Sequence, residues 1–424
     1  MIKPIDTKKL YPRERYLHRL RLFYDDEEII KVLTGIRRCG KSTILKLVMR
    51  ELIERGVPLE NIIYLNLDAK PYKGIRKPAK LERVIDGELA NAKEGRKYLF
   101  VDEVQNVKGY ERLINAYREG GGVSIFITGS NSYLLSGKLA THLTGRYLEM
   151  EVSTLTYDEY VGMKAFLGIA PSPDEFVRYI HDGGFPLSVT LEDDEKRGIY
   201  IRGIISEIFE KDIRRNKRIR NRALFEDIQT YVINNFGSKT SVSSLCDYLS
   251  KTRGEPVKRE TVYRYLQVLE DAKILSRCKR FDMKSRRSIN GNEKYYLTDL
   301  GIYFARNVDN RINYGPCLEN IVFQYAKSLG YQVAVGEIGH LECDFILRGL
   351  DNQYAYVQVC RTIDNDNYGS DGKNLTEERE YAPLEQIADG YPKYLLSLDR
   401  FLQQRSGVKH KNIEAFILNS ETFC

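Results

Sequence analysis

The feature that most constrains this chain is a glycine-bounded loop near its start, between an apolar run and a stretch of helical periodicity. Residues 28–34 predict a buried strand, residues 35–42 read GIRRCGKS, and residues 43–53 have helical spacing. The loop matches the pattern G-x-x-x-x-G-K-[ST] at every fixed position. A strand, a loop and a helix in this order predict an α/β unit that binds the phosphates of a nucleotide.

Each fixed position of this loop has an expected task. Glycine lets the backbone curve closely around phosphate, the lysine is expected to reach the β- and γ-phosphates, and the serine hydroxyl is expected to ligate Mg²⁺. The predicted ligands are therefore ATP and Mg²⁺. The residues expected to bind the nucleotide are Gly35, Arg38, Cys39, Gly40, Lys41, Ser42, Thr43 and Asp102.

A pair of acids follows the second apolar run of this region. Residues 98–101 read YLFV and are followed by Asp102 and Glu103. Carboxylates at the end of a central strand lie where α/β sheets bind ligands. We expect Asp102 to hold Mg²⁺ together with Ser42, and Glu103 to orient and polarise the attacking water as a general base. The competing interpretation is two surface acids after a core strand, but the order and the separation from the loop favour the catalytic one.

Two further catalytic candidates follow. Residues 123–128 predict a third strand, after which Asn131 or Ser130 is expected to sense the γ-phosphate, although a plain turn has the same composition. Arg146 precedes another strand-like run and is interpreted either as an arginine finger or as a surface residue. A finger that reaches a neighbouring subunit requires an oligomer.

Together these motifs resemble a known family. The segments GIRRCGKST, YLFVDEVQ, FITGSNSYLL and LTGRY are similar to those of the AAA-type ATPases (AAA_14) that carry a C-terminal domain of unknown function, DUF4143. The resemblance covers nearly the whole chain. It implies a P-loop core of five parallel strands flanked by helices, with the nucleotide roles given above. The segment HDGGFP at residues 181–186 resembles the linker of this family.

Basic charge is concentrated in the middle of the chain. The net charge is +7, and residues 251–287 contain twelve Lys or Arg against five Asp or Glu. A second run, residues 211–222, has seven basic residues and one acid. Localised basic charge is typical of surfaces that bind a phosphate backbone, although most charge runs are only solvated faces.

The same region predicts a winged helix-turn-helix. Residues 223–236, 241–249 and 258–274 have helical patterns, and strand-like runs at 275–282 and 294–297 follow, joined by a polar segment. In this fold the last helix presents its start to a DNA groove and the wing contacts phosphates. The alternative is a lid or protein-docking module. The expected DNA contacts are Lys258, Arg259, Thr261, Tyr263, Arg264, Lys284, Arg286 and Arg287.

The last part of the chain resembles a nuclease that has lost its catalytic residues. A predicted helix contains Glu319 and a predicted strand contains Asp344, and the resemblance to DUF4143 implies a restriction-endonuclease-like core with Glu-x-Lys on the next strand. This chain has Gln358 and Cys360 there instead. A neutral amide is a poor Mg²⁺ ligand. We therefore interpret Glu319, Asp344, Gln358 and Glu342 as remnants and expect binding rather than cleavage.

The predicted fold class is α/β: a P-loop NTPase core with a parallel sheet, then a winged-helix domain and a small α/β restriction-endonuclease-like domain. The expected boundaries are 1–165 for the ATPase core, 166–222 for a helical lid or linker, 223–303 for the winged helix and 304–424 for the nuclease-like domain.

The predicted function is an ATP-hydrolysing switch or remodelling factor associated with DNA. The alternatives are a signalling scaffold that gates protein assembly without DNA and an active ATP-dependent nuclease. A protein partner or a homo-oligomer is also expected. The chain has no 18-residue apolar stretch and no signal-peptide pattern, which predicts a cytoplasmic protein without a membrane partner. Scattered cysteines and histidines predict neither a disulfide framework nor a zinc site.

Overall fold

The computed structural model describes residues 10–129, 145–191, 193–213, 219–285, 287–307, 311–364, 367 and 374–424. The chain divides into two compact units. The first ends at Ser153 and includes Asp271–Lys273, and the second comprises Thr154–Glu270 and Ile274–Cys424. Within the described residues no helix combines the length and the apolar character that crossing a membrane requires.

A sheet of five parallel strands forms the centre of the first unit. The strands are β1 (Ile30–Thr34), β2 (Ile62–Asn66), β3 (Lys97–Asp102), β4 (Val123–Thr128) and β5 (Tyr147–Glu151). Their order across the sheet is β2-β3-β4-β1-β5, and every pairing is parallel. All residues of β1 and β4 are buried, as expected for interior strands of a parallel sheet. The predicted five-stranded parallel core is confirmed.

Among the described residues of the first unit, four helices accompany this sheet. They are α1 (Glu14–Arg21), α2 (Lys41–Glu54), α3 (Pro78–Ala90) and α4 (Tyr110–Gly120). Pro78 occupies the first turn of α3, where its missing N–H costs no hydrogen bond. Leu81 and Ile85 of α3 join Leu113 and Ile114 of α4 in one apolar cluster with the sheet strands. Burial of these helix faces therefore stabilises the sheet that positions the loop.

The strand order determines where polar residues meet. Strand β4 lies between β1 and β3 and pairs in parallel with both of them. The carboxyl ends of these three strands therefore lie at one edge of the sheet. Thr34, Thr128 and Asp102 end these strands, and the glycine-bounded loop follows Thr34 directly. The sequence-predicted loop and acid pair are thus brought to the same edge, as the P-loop interpretation requires.

The second unit begins with a group of helices. They are α5 (Tyr157–Phe166), α6 (Glu175–Asp182), α7 (Pro186–Val189) and α8 (Asp194–Ile208), and a π-helical turn (Phe209–Ile213) follows α8. Thr156 and Glu159 form a capping box at the start of α5. The Asp193 side chain accepts a hydrogen bond from the Lys196 amide and caps α8. These caps explain why the helices begin where they do.

The next elements have the order of a winged helix-turn-helix. They are α9 (Arg222–Asn234), β6 (Lys239–Thr240), α10 (Val242–Arg253), α11 (Arg259–Asp271), β7 (Leu275–Asp282) and β8 (Arg287–Leu297). The Asn221 and Ser241 side chains cap α9 and α10, and Gly254 ends α10 in the left-handed conformation. The predicted three helices are present. The prediction for the hairpin was wrong in one respect: β8 begins at Arg287, so much of the expected polar connection is strand.

The remaining elements complete one large sheet. They are α12 (Gly301–Arg306), α13 (Tyr314–Leu329), β9 (Gln332–Ile338), β10 (Leu341–Arg348), β11 (Tyr354–Val359), α14 (Leu375–Glu385), β12 (Lys393–Ser397), β13 (Gln404–Arg405), β14 (Val408–Asn412) and α15 (Ile413–Leu418). The strand order is β13-β14-β12-β11-β10-β9-β7-β8-β6. Since β7 pairs in parallel with β9, the hairpin and the C-terminal strands share one sheet, which spans the expected boundary between residues 303 and 304.

The HDGGFP segment has a structural explanation in this unit. The amides of Gly184 and Gly301 donate to the buried Asp299 carboxylate at 2.8 and 2.9 Å. A Cβ at Gly184 would lie 2.1 Å from the Leu155 carbonyl oxygen, so a side chain there cannot fit. Burial raises the pKa of Asp299 to about 6, against the effect of these hydrogen bonds. This segment therefore anchors the linker to the residues that follow β8.

Candidate functional site

The backbone of the glycine-bounded loop requires glycine at both ends. Gly35 has φ 141°, and a Cβ at this position would lie 2.2 Å from the Val152 carbonyl oxygen. Gly40 has φ 105° and Arg38 has φ 67°. Alternation of positive and negative φ turns successive amides toward one concave side, where an anion can bind. The loop therefore has the backbone geometry of a phosphate-binding nest.

Lys41 begins α2 and closes the loop from within. Its ammonium donates to the carbonyl oxygens of Gly35 at 2.9 Å and Ile36 at 3.0 Å, and the residue is 4% exposed. Ser42 and Thr43 follow in the first turn of the same helix. The free amides of a helix start favour negative charge. The loop thus gathers an ammonium, a hydroxyl and helix amides, which are the groups that bind a polyphosphate.

Asp102 is held by side chains from two neighbouring strands. Its Oδ2 accepts hydrogen bonds from Tyr64 Oη at 2.9 Å and Asn66 Nδ2 at 3.3 Å, and its Oδ1 accepts from Thr128 Oγ1. Burial, followed by the nearby Asp102 charge, raises the pKa of Tyr64, so its hydroxyl remains a donor. This buried carboxylate has a fixed orientation, as a ligand for a hard cation needs.

Glu103 adopts a backbone conformation that is uncommon for its type. Its φ and ψ are 59° and 46°, and its amide donates to Thr128 Oγ1 at 3.0 Å. Burial raises the pKa of Glu103, and the positive charges of Lys41 and Arg37 oppose this shift. These interactions show that the loop and the acid pair lie close together. A half-buried carboxylate with a raised pKa beside a loop of this geometry is suited to accept a proton from water.

Three residues of this site were missed by sequence reasoning. Tyr64 and Asn66 lie near the end of β2, and Thr128 ends β4. The available signal was a polar residue at the carboxyl end of an apolar strand, but the partner of each depends on the strand order. Thr128 contacts both the Asp102 carboxylate and the Glu103 amide, so it orients the two acids together.

Arg13 is a fourth residue that the sequence did not indicate. One nitrogen of its guanidinium donates to the Cys39 carbonyl at 3.1 Å and the Ser153 carbonyl at 2.8 Å. The side chain also lies over the Tyr16 ring, 4.5 Å from its centroid. Since Arg13 is 4% exposed, it acts as an internal brace between the loop and the residue that ends the first unit.

The remaining catalytic candidates are the γ-phosphate sensor and Arg146. Asn131 and Ser130 lie outside the described residues. The Arg146 carbonyl accepts from the Ile30 amide at 3.0 Å, and its guanidinium contacts Glu119 at 2.8 Å. Ile30 begins β1, so Arg146 lies at the amino edge of the sheet, a strand's length of about 13 Å from the loop edge. Arg146 is therefore remote from the loop of its own chain, and its interpretation as a finger or a surface residue stays a prediction.

The residues present fit Mg·ATP. The nest and the Lys41 ammonium match a polyphosphate, and the Ser42 hydroxyl with the buried Asp102 carboxylate matches the oxygen ligands that Mg²⁺ prefers.

Comparison with known proteins agrees with this geometry. Residues 27–161 match the model of AAA_14, described as an AAA domain. An uncharacterized protein of Haemophilus influenzae is 31% identical over 392 residues, covering 92% of this chain and 94% of that protein. The chain belongs to the family of this Haemophilus protein. A second family relative, an uncharacterized protein of Methanocaldococcus jannaschii, is 26% identical over 80% of this chain and 76% of its own length.

A different family model matches part of the second unit of this AAA-type protein. Residues 173–311 match the model of DUF8612, a domain of unknown function, rather than the expected DUF4143.

Solved structures that superpose include the Aeropyrum pernix ORC1 protein in complex with DNA, with 15% identity, 72% of this chain and 98% of that chain covered, and a TM-score of 0.33. The Aeropyrum pernix ORC2 protein in its ADP form has 11% identity, coverages of 67% and 86%, and a TM-score of 0.35.

The residues expected to contact DNA fall into two groups on the second unit. One group lies at the start of α11, where Tyr263 is 43% exposed and Arg259 donates to Ser243 Oγ at 2.8 Å. The other lies at the tip of the β7–β8 hairpin, which the Met283 amide ties to the Glu337 carbonyl of β9 at 3.0 Å. Arg286 lies outside the described residues. Exposed members are Lys258, Arg259, Tyr263, Lys284 and Arg287, and half-buried ones are Thr261 and Arg264.

The C-terminal acids also come together. Glu319 of α13 lies beside Glu342 and Asp344 of β10, and Gln358 Oε1 accepts from the Asp344 amide at 3.2 Å. Sequence reasoning missed the group that joins these acids, Lys294 of β8. In the part of the chain that the structure describes, no set of three or more His, Cys, Asp or Glu side chains is arranged to hold a metal ion.

Proposed function

We propose that this protein is an AAA-type ATPase that hydrolyses Mg·ATP in its first unit and uses the reaction as a switch or remodelling step on DNA held by its second unit. The observation that carries the ATPase part is the convergence of Lys41, Asp102 and Glu103 at one edge of a parallel sheet. The coarser assignment as an AAA-type protein rests on the family comparison as well.

The contacts of the individual residues support the roles proposed for them. Lys41 and the loop amides would bind the β- and γ-phosphates, and Ser42 with Asp102 would hold Mg²⁺, which would supply positive charge beside the phosphates. Glu103 accepts a proton from the attacking water. Thr128 keeps both acids oriented through its single hydroxyl. Asn131 remains the proposed γ-phosphate sensor, and Arg146 is proposed to act only on the site of a neighbouring subunit.

The DNA part of the proposal rests on exposed positive charge. Lys258 and Arg259 lie at the start of α11, and Lys284 and Arg287 lie at the hairpin tip. These are the places from which winged helices contact a groove and its phosphates. Tyr263, exposed one turn along α11, can pack against sugar or base. The excess of basic over acidic residues between 251 and 287 supports electrostatic binding.

The proposal is tested by DNA-binding and ATPase measurements on the full chain. We expect duplex DNA to bind with an affinity that falls steeply with salt, and to stimulate ATP hydrolysis. Lys258→Ala combined with Arg259→Ala should lower the slope of log affinity against log salt by about 2, because each phosphate contact contributes about 0.9. Lys196→Ala, which removes an exposed charge from α8, is the matched control and should change neither measurement.

The outcomes separate the two parts of the proposal. ATP hydrolysis that no single-stranded or duplex DNA stimulates, together with no salt-sensitive binding, would leave the ATPase intact and favour the scaffold that gates protein assembly. If the wild-type protein does not hydrolyse ATP at all, the assignment of the first unit as an ATPase is refuted.

A further inference from the structure

The centre of the second unit contains a lysine enclosed by three carboxylates. The Lys294 ammonium lies 2.8 Å from Glu319 Oε2, 3.0 Å from Glu342 Oε1 and 3.5 Å from Asp344 Oδ1. Lys294 is 5% exposed. The lysine comes from hairpin strand β8, whereas the acids come from α13 and β10. One ammonium therefore joins three elements that are far apart in sequence.

Each of these acids is also held by a second contact. Tyr296 Oη donates to Glu319 Oε2 at 2.8 Å, and Lys239 lies 2.6 Å from Glu342 Oε2. The Val359 amide donates to Asp344 Oδ2 at 2.9 Å. The carboxylates are thus oriented by the sheet and not by Lys294 alone. An arrangement of this kind can keep its shape when the central cation changes.

Charge balance explains why a cation is needed at the centre. Carboxylates removed from water are costly to keep ionised unless a positive charge lies among them. Burial opposes the charge on Lys294, but the attraction of Asp344, Glu319 and Glu342 outweighs it and raises the pKa of the lysine. Burial, followed by repulsion from Glu319, raises the pKa of Asp344. Three carboxylates within 3.5 Å of the ammonium compensate its positive charge.

We propose that these three carboxylates form a cation site that the chain fills with its own Lys294 ammonium, so that the native protein binds no divalent ion there. Carboxylate oxygens are the ligands that hard cations such as Mg²⁺ or Mn²⁺ prefer, but with Lys294 among them these three acids are not arranged to hold such an ion. Lys294 occupies the point toward which these oxygens converge, at distances suited to an ammonium. An ion and the ammonium cannot share that point.

This site has a consequence for the C-terminal region. Metal-dependent cleavage of a phosphodiester needs a divalent ion to generate the attacking hydroxide and to stabilise the leaving oxygen. With Lys294 in the position of the ion, the native chain lacks that step. The cluster instead fixes hairpin strand β8 to β10 and α13. The inference is independent of the ATPase assignment, because every residue involved belongs to the second unit.

The test measures Mn²⁺ binding to the nucleotide-free full-length chain. Lys294→Met removes the charge with little change in volume, Lys294→Arg keeps a cation and is the control, and Asp344→Asn removes one ligand. We expect Lys294→Met to gain one Mn²⁺ equivalent over the wild type, with at least tenfold tighter binding than Lys294→Arg, and its Tm to rise as Mn²⁺ is added. Combining Lys294→Met with Asp344→Asn should abolish both effects.

Two results would overturn the proposal. One is a metal site in the wild-type protein. Such a site would show as Mn²⁺ binding that Asp344→Asn removes, or as Mn²⁺-dependent nicking of plasmid DNA that Asp344→Asn abolishes. The other is a folded Lys294→Met variant that gains no Mn²⁺ site. If Lys294→Met does not fold with or without Mn²⁺, Lys294→Gln, which keeps a polar group in the cluster, is titrated in its place and judged by the same outcomes.

Discussion

Thr128 offers a sharp test of how the two acids of the first unit are held. Its hydroxyl donates to the Asp102 carboxylate and accepts from the Glu103 amide, and the residue is fully buried. Thr128→Val keeps the shape of the side chain and removes both contacts. Thr128→Ser keeps the hydroxyl and is the matched control.

The expected size of the effect follows from these two contacts. A hydrogen bond to a charged group contributes about 1.5–3 kcal/mol and one from a backbone amide about 1 kcal/mol, so Thr128→Val should lower the free energy of unfolding of the first unit by about 3 kcal/mol. Glu103 has a left-handed conformation that costs about 1–2 kcal/mol without such support. Its carboxylate should lose its position, and kcat should fall about tenfold to a hundredfold.

The assays are urea unfolding and steady-state ATP hydrolysis. The KM for ATP should change by less than about threefold, because the loop that binds the phosphates is intact and Asp102 keeps its hydrogen bonds from Tyr64 and Asn66. Thr128→Ser should retain most of the activity. The reasoning is refuted if Thr128→Val unfolds at the same urea concentration as the wild type and hydrolyses ATP at the same rate.

Three further predictions concern other contacts. Gly35→Ala should abolish ATP binding, measured by titration calorimetry, because the new Cβ would lie 2.2 Å from the Val152 carbonyl; unchanged affinity would contradict this. Arg13→Met should weaken ATP binding about tenfold, because the buried Cys39 and Ser153 carbonyls lose a hydrogen-bond donor worth about 1–2 kcal/mol. An affinity equal to that of the wild type would show that Arg13 does not support the loop. The third prediction concerns Asp299, whose pKa is raised to about 6 in the folded protein. Between about pH 4 and 6 the folded protein therefore binds more protons than the unfolded chain. The free energy of unfolding should consequently fall as the pH rises through that window. In urea unfolding, Asp299→Asn should reduce the pH-dependent fall in the free energy of unfolding by about 2–3 kcal/mol. If the variant and the wild type show the same pH dependence, another group titrates in this window.

The sequence predicted the parts of the site that depend on local order. The spacing of GIRRCGKS fixes a loop between a strand and a helix, and an apolar run ending in Asp102 and Glu103 fixes a second strand end. Each of these two features spans fewer than about ten consecutive residues, so local periodicity and turn chemistry are enough to place each of them in the sequence. The parallel sheet then follows from the alternation of strands and helices.

The parts that were missed depend on long-range pairing. Tyr64 and Thr128 became site residues only because β2 and β4 flank β3, and no local pattern specifies that order. Arg13 lies 26 residues from the carbonyl that it contacts. Lys294 was assigned to a short strand-like run, and its partners come from later segments.

The central claim is tested most directly by ATP binding and single-turnover hydrolysis in wild-type, Lys41→Ala and Glu103→Gln proteins. The wild type is expected to bind Mg·ATP and hydrolyse it, Lys41→Ala to lose binding, and Glu103→Gln to bind with similar affinity while losing hydrolysis by at least a hundredfold. Wild-type protein that neither retains nor cleaves ATP, or a Glu103→Gln variant that cleaves it at the wild-type rate, would contradict the account.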